Sequence, residues 1–340
     1  MAKRLDAGYA LAIGMAFAFS FTNGFHDAAN VIATMVATRA ARPGQAVVLA
    51  AVFELLGPLL LGTAVASTIA GIVTIPGGPQ DIIVIGAGLT GAVAWNFLTW
   101  WRGLPSSSGH ALIGGLVGAA MVEVGPSAVN WGGMNGLHPE GVVGTLIAMA
   151  LAPVIGFAVA LAVERIALRA LRRATSRVTG VVMRSQWVTS SWLAFSHGSN
   201  DASKAVGIVF ALQLARNPDQ TGAATWVKIA CAVALTLGIL LGGWRIVQTI
   251  GRRIFRLRPL DGLVSQASSA GVVLGASLFG APISTTQVVS SSVVGIGAGR
   301  RRYGHVGWVV TIEIAVGWIT TLPAAALLAA LSLPLWRWVV

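Results

Sequence analysis

Charge is scarce in this chain, and acid is scarcest. Only 10% of its 340 residues are charged, with 11 aspartates and glutamates against 23 lysines and arginines. Soluble domains carry about 25% charged residues, so a water-facing globular surface is excluded. The single cysteine, Cys231, lies in an apolar run, permits no intramolecular disulfide and reads as a buried structural thiol. His26, His110 and His197 lack a metal-ligand spacing and are read as hydrogen-bonding or proton-relay groups. No Gly-x-Ser-x-Gly elbow or other nucleophile–base arrangement accompanies them, which argues against an intramembrane hydrolase and against an enzyme of any kind.

What is present is apolar: 55% of the residues are hydrophobic. Runs of spanning length fall near 8–36, 46–72, 82–101, 108–124 and 141–166, then near 187–214, 225–248, 262–281, 284–299 and 304–330. Ten segments, five in each half, define an all-α polytopic membrane protein. Several contain Gly or Pro, and the fourth and ninth are short, so broken helices and re-entrant hairpins are expected. The run after Met1-Ala2-Lys3-Arg4 is too long for a signal-peptide core and reads as a retained first span.

The formal charge of +12 falls mostly in short loops, so it points to topology and lipid rather than to nucleic acid. If each segment crosses once, Arg39, Arg42, Arg102 and the arginine clusters within 169–184, 252–258 and 300–302 share one face. That face should be cytoplasmic, with both termini outside a cell (inner) membrane. Arginines at spacings of three and four in 165–185 suit anionic headgroups, although an ordinary positive-inside linker is the plainer reading. The expected organisation is a first repeat over 1–168, a basic linker over 169–186 and a second repeat over 187–340.

One polar stretch is written twice. Asn23-Gly24-Phe25-His26-Asp27-Ala28-Ala29-Asn30 recurs as His197-Gly198-Ser199-Asn200-Asp201-Ala202-Ser203-Lys204, displaced by 174 residues (27 to 201), inside apolar segments. An ionised side chain at the membrane centre costs about 2.5–3.5 kcal/mol on insertion scales, so an aspartate there lines a cavity or meets a partner. With five crossings per half, an odd number, the two halves must enter from opposite faces as inverted-topology repeats, which bring matched broken helices together near the midplane.

A second pair follows the same repeat. Pro105-Ser106-Ser107-Ser108-Gly109-His110 precedes the fourth segment and Pro282-Ile283-Ser284-Thr285-Thr286-Gln287 the ninth, displaced by 177 (105 to 282). Proline followed by hydroxyls and an apolar run is a helix start, and its free N–H groups attract anions. Two such starts together would form an oxyanion pocket from Ser106, Ser107, Ser108, Ser284, Thr285 and Thr286, without arginine. His110 and Gln287 are supporting candidates. Asn23, Asp27, Asn200 and Asp201 offer oxygen ligands to Na⁺, or sites for H⁺, that would balance the anion's charge. Asn30 is a supporting candidate; Lys204, at its place in the repeat, either pairs with Asp201 or helps hold the anion. Glu54 aligns with Lys228 at the 174 displacement, suggesting an ion pair between halves, and Glu313 reads as structurally paired. Equal defects are expected from Asp27→Asn and Asp201→Asn.

These motifs resemble the PiT family of inorganic phosphate transporters, whose duplicated Gly-x-Asn-Asp-x-x-Asn-Ala signature and Pro-x-Ser-Ser/Thr-Thr-x-His element they match over nearly the whole chain. His26 and Lys204 depart from the signature in a way similar to the bacterial branch. The resemblance implies phosphate import by symport with Na⁺ or H⁺, no cofactor beyond the coupling ion, and a homo-oligomer, commonly a dimer. Sulfate permeation by the same pocket and passive anion conduction are the alternatives.

Overall fold

The computed structural model describes residues 2–61, 64–74, 78–217 and 219–340. Its helices are α1 (Ala2–Ala37), α2 (Pro43–Leu60), α3 (Ala64–Ala70), α4 (Pro79–Arg102), α5 (Ser108–Glu123), α6 (Gly141–Ala170), α7 (Val178–Arg216), α8 (Thr225–Leu241), α9 (Trp244–Gln248), α10 (Pro259–Leu278), α11 (Thr285–Gly299) and α12 (Trp308–Val339). Five of these are long and apolar enough to cross a membrane. One small hairpin, Gly133–Asn135 against His138–Glu140, interrupts the all-α pattern between α5 and α6.

Eight of the ten expected segments are single helices. The second and seventh are each split, into α2 and α3 and into α8 and α9. In the seventh, Gly242 and Gly243 end α8, and Gly242 adopts φ +62°, a conformation only glycine takes without strain. In the second, α2 ends at Leu60 and Leu61 is extended; Gly62 and Thr63 lie outside the described residues. The basic stretch between the halves is shorter than 169–186, because α6 and α7 extend into it and leave only 171–177 between them. Once a helix leaves hydrocarbon, arginine is a good helix former, so polarity alone does not mark its end.

Helices α1 and α7, which carry the two polar motifs, run antiparallel. At one end Arg216 of α7 pairs with Asp6 of α1. At the other, Thr38 Oγ1 donates to Gln186 Oε1 at 2.8 Å, and Trp187 Nε1 donates to the Ala40 carbonyl at 3.2 Å. Gly8 packs against Val340, so the chain's first and last helical turns share the first end. Arg172, Arg258 and Arg300 surround one open cavity at the opposite end, where the positive loops were expected to gather.

The halves are interleaved. Helix α1 packs on α8, and α7 on α2; likewise α5 packs on α12, and α11 on α6. Matched glycines make the first pair of contacts close. Gly24 abuts the carbonyl of Leu235 and Gly198 that of Glu54, while Gly57 meets the backbone of Phe195 and Ser199 and Gly238 that of Phe21 and Phe25. None of these contacts leaves room for a Cβ, and backbones approach in this way where small residues line membrane helix interfaces.

These contacts also give the repeat's local register: Glu54 matches Leu235 and Gly57 matches Gly238, a displacement of 181. Glu54 therefore does not correspond to Lys228. Helix α7 runs further past its motif than α1 does, and the loop joining α7 to α8 (217–224) is longer than that joining α1 to α2 (38–42), so a constant displacement carried across them is out of register. Glu54 faces His197 instead, with its Oε2 3.0 Å from Nδ1. Glu313 is exposed on α12, and no ion pair forms to it among the described residues, which corrects its reading as a paired acid.

Candidate functional site

Both expected helix starts occur. Ser107 caps α5, its Oγ accepting from the His110 N–H at 3.2 Å; Ser284 caps α11, its Oγ accepting from the Gln287 N–H at 3.3 Å. In each case proline and a short extended stretch precede the cap, so the first N–H groups of the helix emerge inside the protein. At about 1.5 Å per residue, the 16 residues of α5 and 15 of α11 fall short of a hydrocarbon core about 30 Å thick. Each short helix begins beside a motif aspartate.

Asp27 and Asp201 are both buried and meet through Asn23. The side-chain amide of Asn23 has one terminal atom 3.1 Å from Asp27 Oδ2, 3.3 Å from Asp201 Oδ2 and 3.0 Å from Ser108 Oγ. With nitrogen at that place, the two N–H bonds of Asn23 are shared among three acceptors within reach, two of them the motif carboxylates. With oxygen there, four oxygens from both halves converge, the donor set that a hard cation takes. Turning the amide of Asn23 exchanges a donor for an acceptor at this junction.

Around Asp27 the partners are imidazole and hydroxyls. His26 Nδ1 lies 2.6 Å from Oδ1, Thr286 Oγ1 donates to Oδ1 at 3.2 Å, and Ser108 Oγ approaches Oδ2 at 3.5 Å. Asn30 Nδ2 donates to Thr286 Oγ1 at 2.9 Å, so the first motif grips the hairpin of the second half. Around Asp201 the partners are cationic or ionisable. Lys204 Nζ donates to Oδ1 at 2.6 Å and to the Ile283 carbonyl at 2.8 Å, and His197 Nε2 lies 3.0 Å from Oδ2. His197 is thus held between Asp201 and Glu54, all three fully buried.

The matched residues His26 and Asn200 each hold their own half's hairpin. His26 Nε2 lies 3.2 Å from both Thr99 and Ser106 hydroxyls; Asn200 Nδ2 donates to Ser277 Oγ at 3.0 Å and to the Ala281 carbonyl at 3.1 Å. Ser106 therefore stands behind His26, donating to Thr99 at 2.9 Å, one layer back from Ser107 and Ser108. His110 Nδ1 lies 2.7 Å from Ser107 Oγ, closing the α5 cap.

Several buried acceptors have no donor: Asn30 Oδ1, Asn200 Oδ1, Thr285 Oγ1 and Gln287 Oε1. Buried polar atoms are nearly always satisfied, so each of these acceptors is free to meet a cation or a ligand O–H. Thr99, Ser277 and the Ile283 carbonyl take part without having been singled out in the sequence. Elsewhere in the bundle a partly buried amide–hydroxyl ladder, in which Thr189 donates to Gln266 Oε1 at 2.7 Å and Gln266 Nε2 to Thr34 Oγ1 at 3.0 Å, ties α1, α7 and α10. Its signal was present as polar residues inside apolar runs.

Two antiparallel polar motifs that meet two buried helix starts inside an apolar bundle define the core of a membrane transporter. Comparison with known proteins gives the particular kind. The phosphate transporter family matches residues 23–182 and 168–329. Curated relatives include a "Probable low-affinity inorganic phosphate transporter" of Bacillus subtilis (strain 168), 38% identical over 93% of both chains. The protein of the same name from Rhizobium meliloti (strain 1021) is 40% identical over 94% of this chain and 93% of its own. A solved structure described as "The sodium-dependent phosphate transporter" superposes with a TM-score of 0.84 over 98% of this chain and 100% of that one, at 24% identity. The chain belongs to the phosphate transporter family.

Proposed function

We propose that this protein is a secondary active transporter importing inorganic phosphate by symport with Na⁺ or H⁺, with access alternating about a midplane site. The observation that carries the reading is the meeting of Asp27, Asp201 and Asn23 beside two Ser-capped helix starts. Phosphate arrives with one to two negative charges at a site already holding two carboxylates. Its entry is unfavourable unless cations come with it, because desolvated like charges repel strongly. Coupling follows from that charge balance.

In this reading Ser107, Ser108, Ser284, Thr285 and Thr286, with the α5 and α11 amides, hold the phosphate oxygens. Ser106, His110 and Gln287 support them, while Asp27, Asn23, Asn200 and Asp201 form the cation-binding region, in which Lys204 pairs with Asp201. The unpartnered acceptors Thr285 Oγ1 and Gln287 Oε1 favour phosphate over sulfate, since only phosphate brings a P–OH to satisfy them near neutral pH. The antiparallel motif helices supply the symmetry by which one packing can exchange for its mirror. The arginine-rich end is assigned to the cytoplasm and both termini to the outside of the cell membrane, with a homodimer as the working assembly.

The test is labelled phosphate uptake into proteoliposomes under separately imposed inward Na⁺ and H⁺ gradients, with excess unlabelled sulfate. Concentrative uptake that follows one gradient and ignores sulfate is expected. Equilibrating flux indifferent to both would instead identify a passive anion pathway, and full competition by sulfate would change the substrate.

A further inference from the structure

The two halves present different things at one matched position. At the end of the first motif stands Asn30, neutral, with its Oδ1 buried and without a donor; at the end of the second stands the Lys204 ammonium, 1% exposed. The ammonium sits 2.6 Å from the Asp201 carboxylate and 2.8 Å from the carbonyl of Ile283, which belongs to the non-helical stretch between α10 and α11 and makes no helical hydrogen bond. A carboxylate and an unwound-backbone carbonyl are the ligands that a transported monovalent cation takes in broken-helix carriers. Among the described residues no ammonium meets Asp27; its neighbours are His26, Thr286, Ser108 and the amide of Asn23.

We infer that Lys204 is a tethered cation: its ammonium permanently fills the cation position of the second half, so that only the first half, around Asp27 and Asn30, takes a carried ion. This inference rests on the symport reading above and adds the count of carried charges to it. The lysine travels with the protein in both directions of the cycle and therefore moves no net charge. Replacing it by the residue of the other half, Lys204→Asn, vacates the position and leaves oxygens in its place. Each phosphate would then enter with one more cation.

The experiment compares equilibrium accumulation of labelled phosphate by wild-type and Lys204→Asn proteoliposomes at an inside-negative potential of about 59 mV, with Na⁺ equal on both sides. One additional inward charge per phosphate raises the accumulation ratio about tenfold at that potential. Repetition in choline medium names the added ion: a gain confined to Na⁺ medium means Na⁺, and a gain in both means H⁺. Lys204→Gln, which offers the same oxygen on a longer stem, is the second variant. Thermal stability of both variants in detergent is followed as Na⁺ replaces choline, a readout that needs no transport; a Na⁺-dependent rise larger than in wild type is expected if the added ion is Na⁺.

An unchanged accumulation ratio in both variants overturns the inference, and so does a rise in phosphate KM with unchanged charge per turnover, which would make Lys204 a phosphate ligand. Folded variant recovered only when Na⁺ is present supports it; no folded variant in either medium overturns it, because a vacated cation position would be refilled. If wild type shows no concentrative uptake under an inward gradient of either Na⁺ or H⁺, the symport reading fails, and the Na⁺ stabilisation of the variants still decides the role of Lys204.

Discussion

Asp27 and Asp201 occupy matched places on antiparallel helices and keep unlike company. The first is held by an imidazole, two hydroxyls and an amide, whereas the second is fixed between a lysine and a histidine that also faces Glu54. The backbone arrangement is alike in the two halves, seen in the paired glycine contacts and the paired serine caps, while the charges differ. A binding site with two-fold backbone symmetry need not have two-fold electrostatics, and here the asymmetry falls on the groups that would meet the coupling ion.

The largest test of that contrast is the aspartate pair itself. Both Asp27→Asn and Asp201→Asn should abolish concentrative uptake, but only the second leaves a buried ammonium without its carboxylate. Removing one member of a buried pair costs about 3–5 kcal/mol. Asp201→Asn should therefore unfold at a distinctly lower temperature than Asp27→Asn in thermal melts of purified protein, even though the two share the transport defect that the motif repeat implies. Equal Tm values would break the comparison.

Where the halves agree, matched changes should cost the same. Gly24→Ala and Gly198→Ala each drive a methyl group into a backbone carbonyl of the neighbouring helix, Leu235 or Glu54. Overpacking of this kind costs about 1–3 kcal/mol, and more where the neighbour is backbone and cannot turn aside. Both variants should show lower yield of folded protein by size-exclusion chromatography. A normal yield from one of them would mean that the two helix crossings are not equivalent.

A smaller and again symmetric effect is expected at the caps. Ser107→Ala and Ser284→Ala each remove a hydroxyl that accepts from an N–H three residues on, worth about 1 kcal/mol. The reading further expects a severalfold rise in phosphate KM from each, measured by initial uptake rates. The smallest effect belongs to Lys228→Met: the residue is only partly buried, and Glu54 is paired with His197 rather than with it. Its stability should stay within about 0.5 kcal/mol of wild type. A large loss there would restore the cross-half pair suggested by the 174 displacement.

Much of the architecture was legible in the chain because its causes are local. Spanning length, hydroxyls after proline at Ser107 and Ser284, and arginine-rich loops each act within a few residues, and the corresponding helices, caps and arginine-lined end are found where those signals lie. The partners of the buried acids were not legible. Glu54 was set against Lys228 because a displacement measured on α1 and α7 was applied to α2 and α8, across loops of unequal length. Glu313, six residues into α12, carried no signal of which face it occupies, since that helix is apolar all round and its orientation depends on what packs against it.

Thr99, Ser277 and the Ile283 carbonyl belong to the same class, being brought to the site from other segments and invisible to any window along the chain. The sequence by itself determined the polytopic helical class, the two repeated motifs and the two helix starts, because hydropathy, proline and hydroxyl capping act through neighbouring residues. Only the tertiary structure decided which oxygen meets which cation. That choice depends on interleaving α1 with α8 and α7 with α2 and on close backbone contact at four glycines, and it places Lys204 on Asp201 while no ammonium among the described residues meets Asp27.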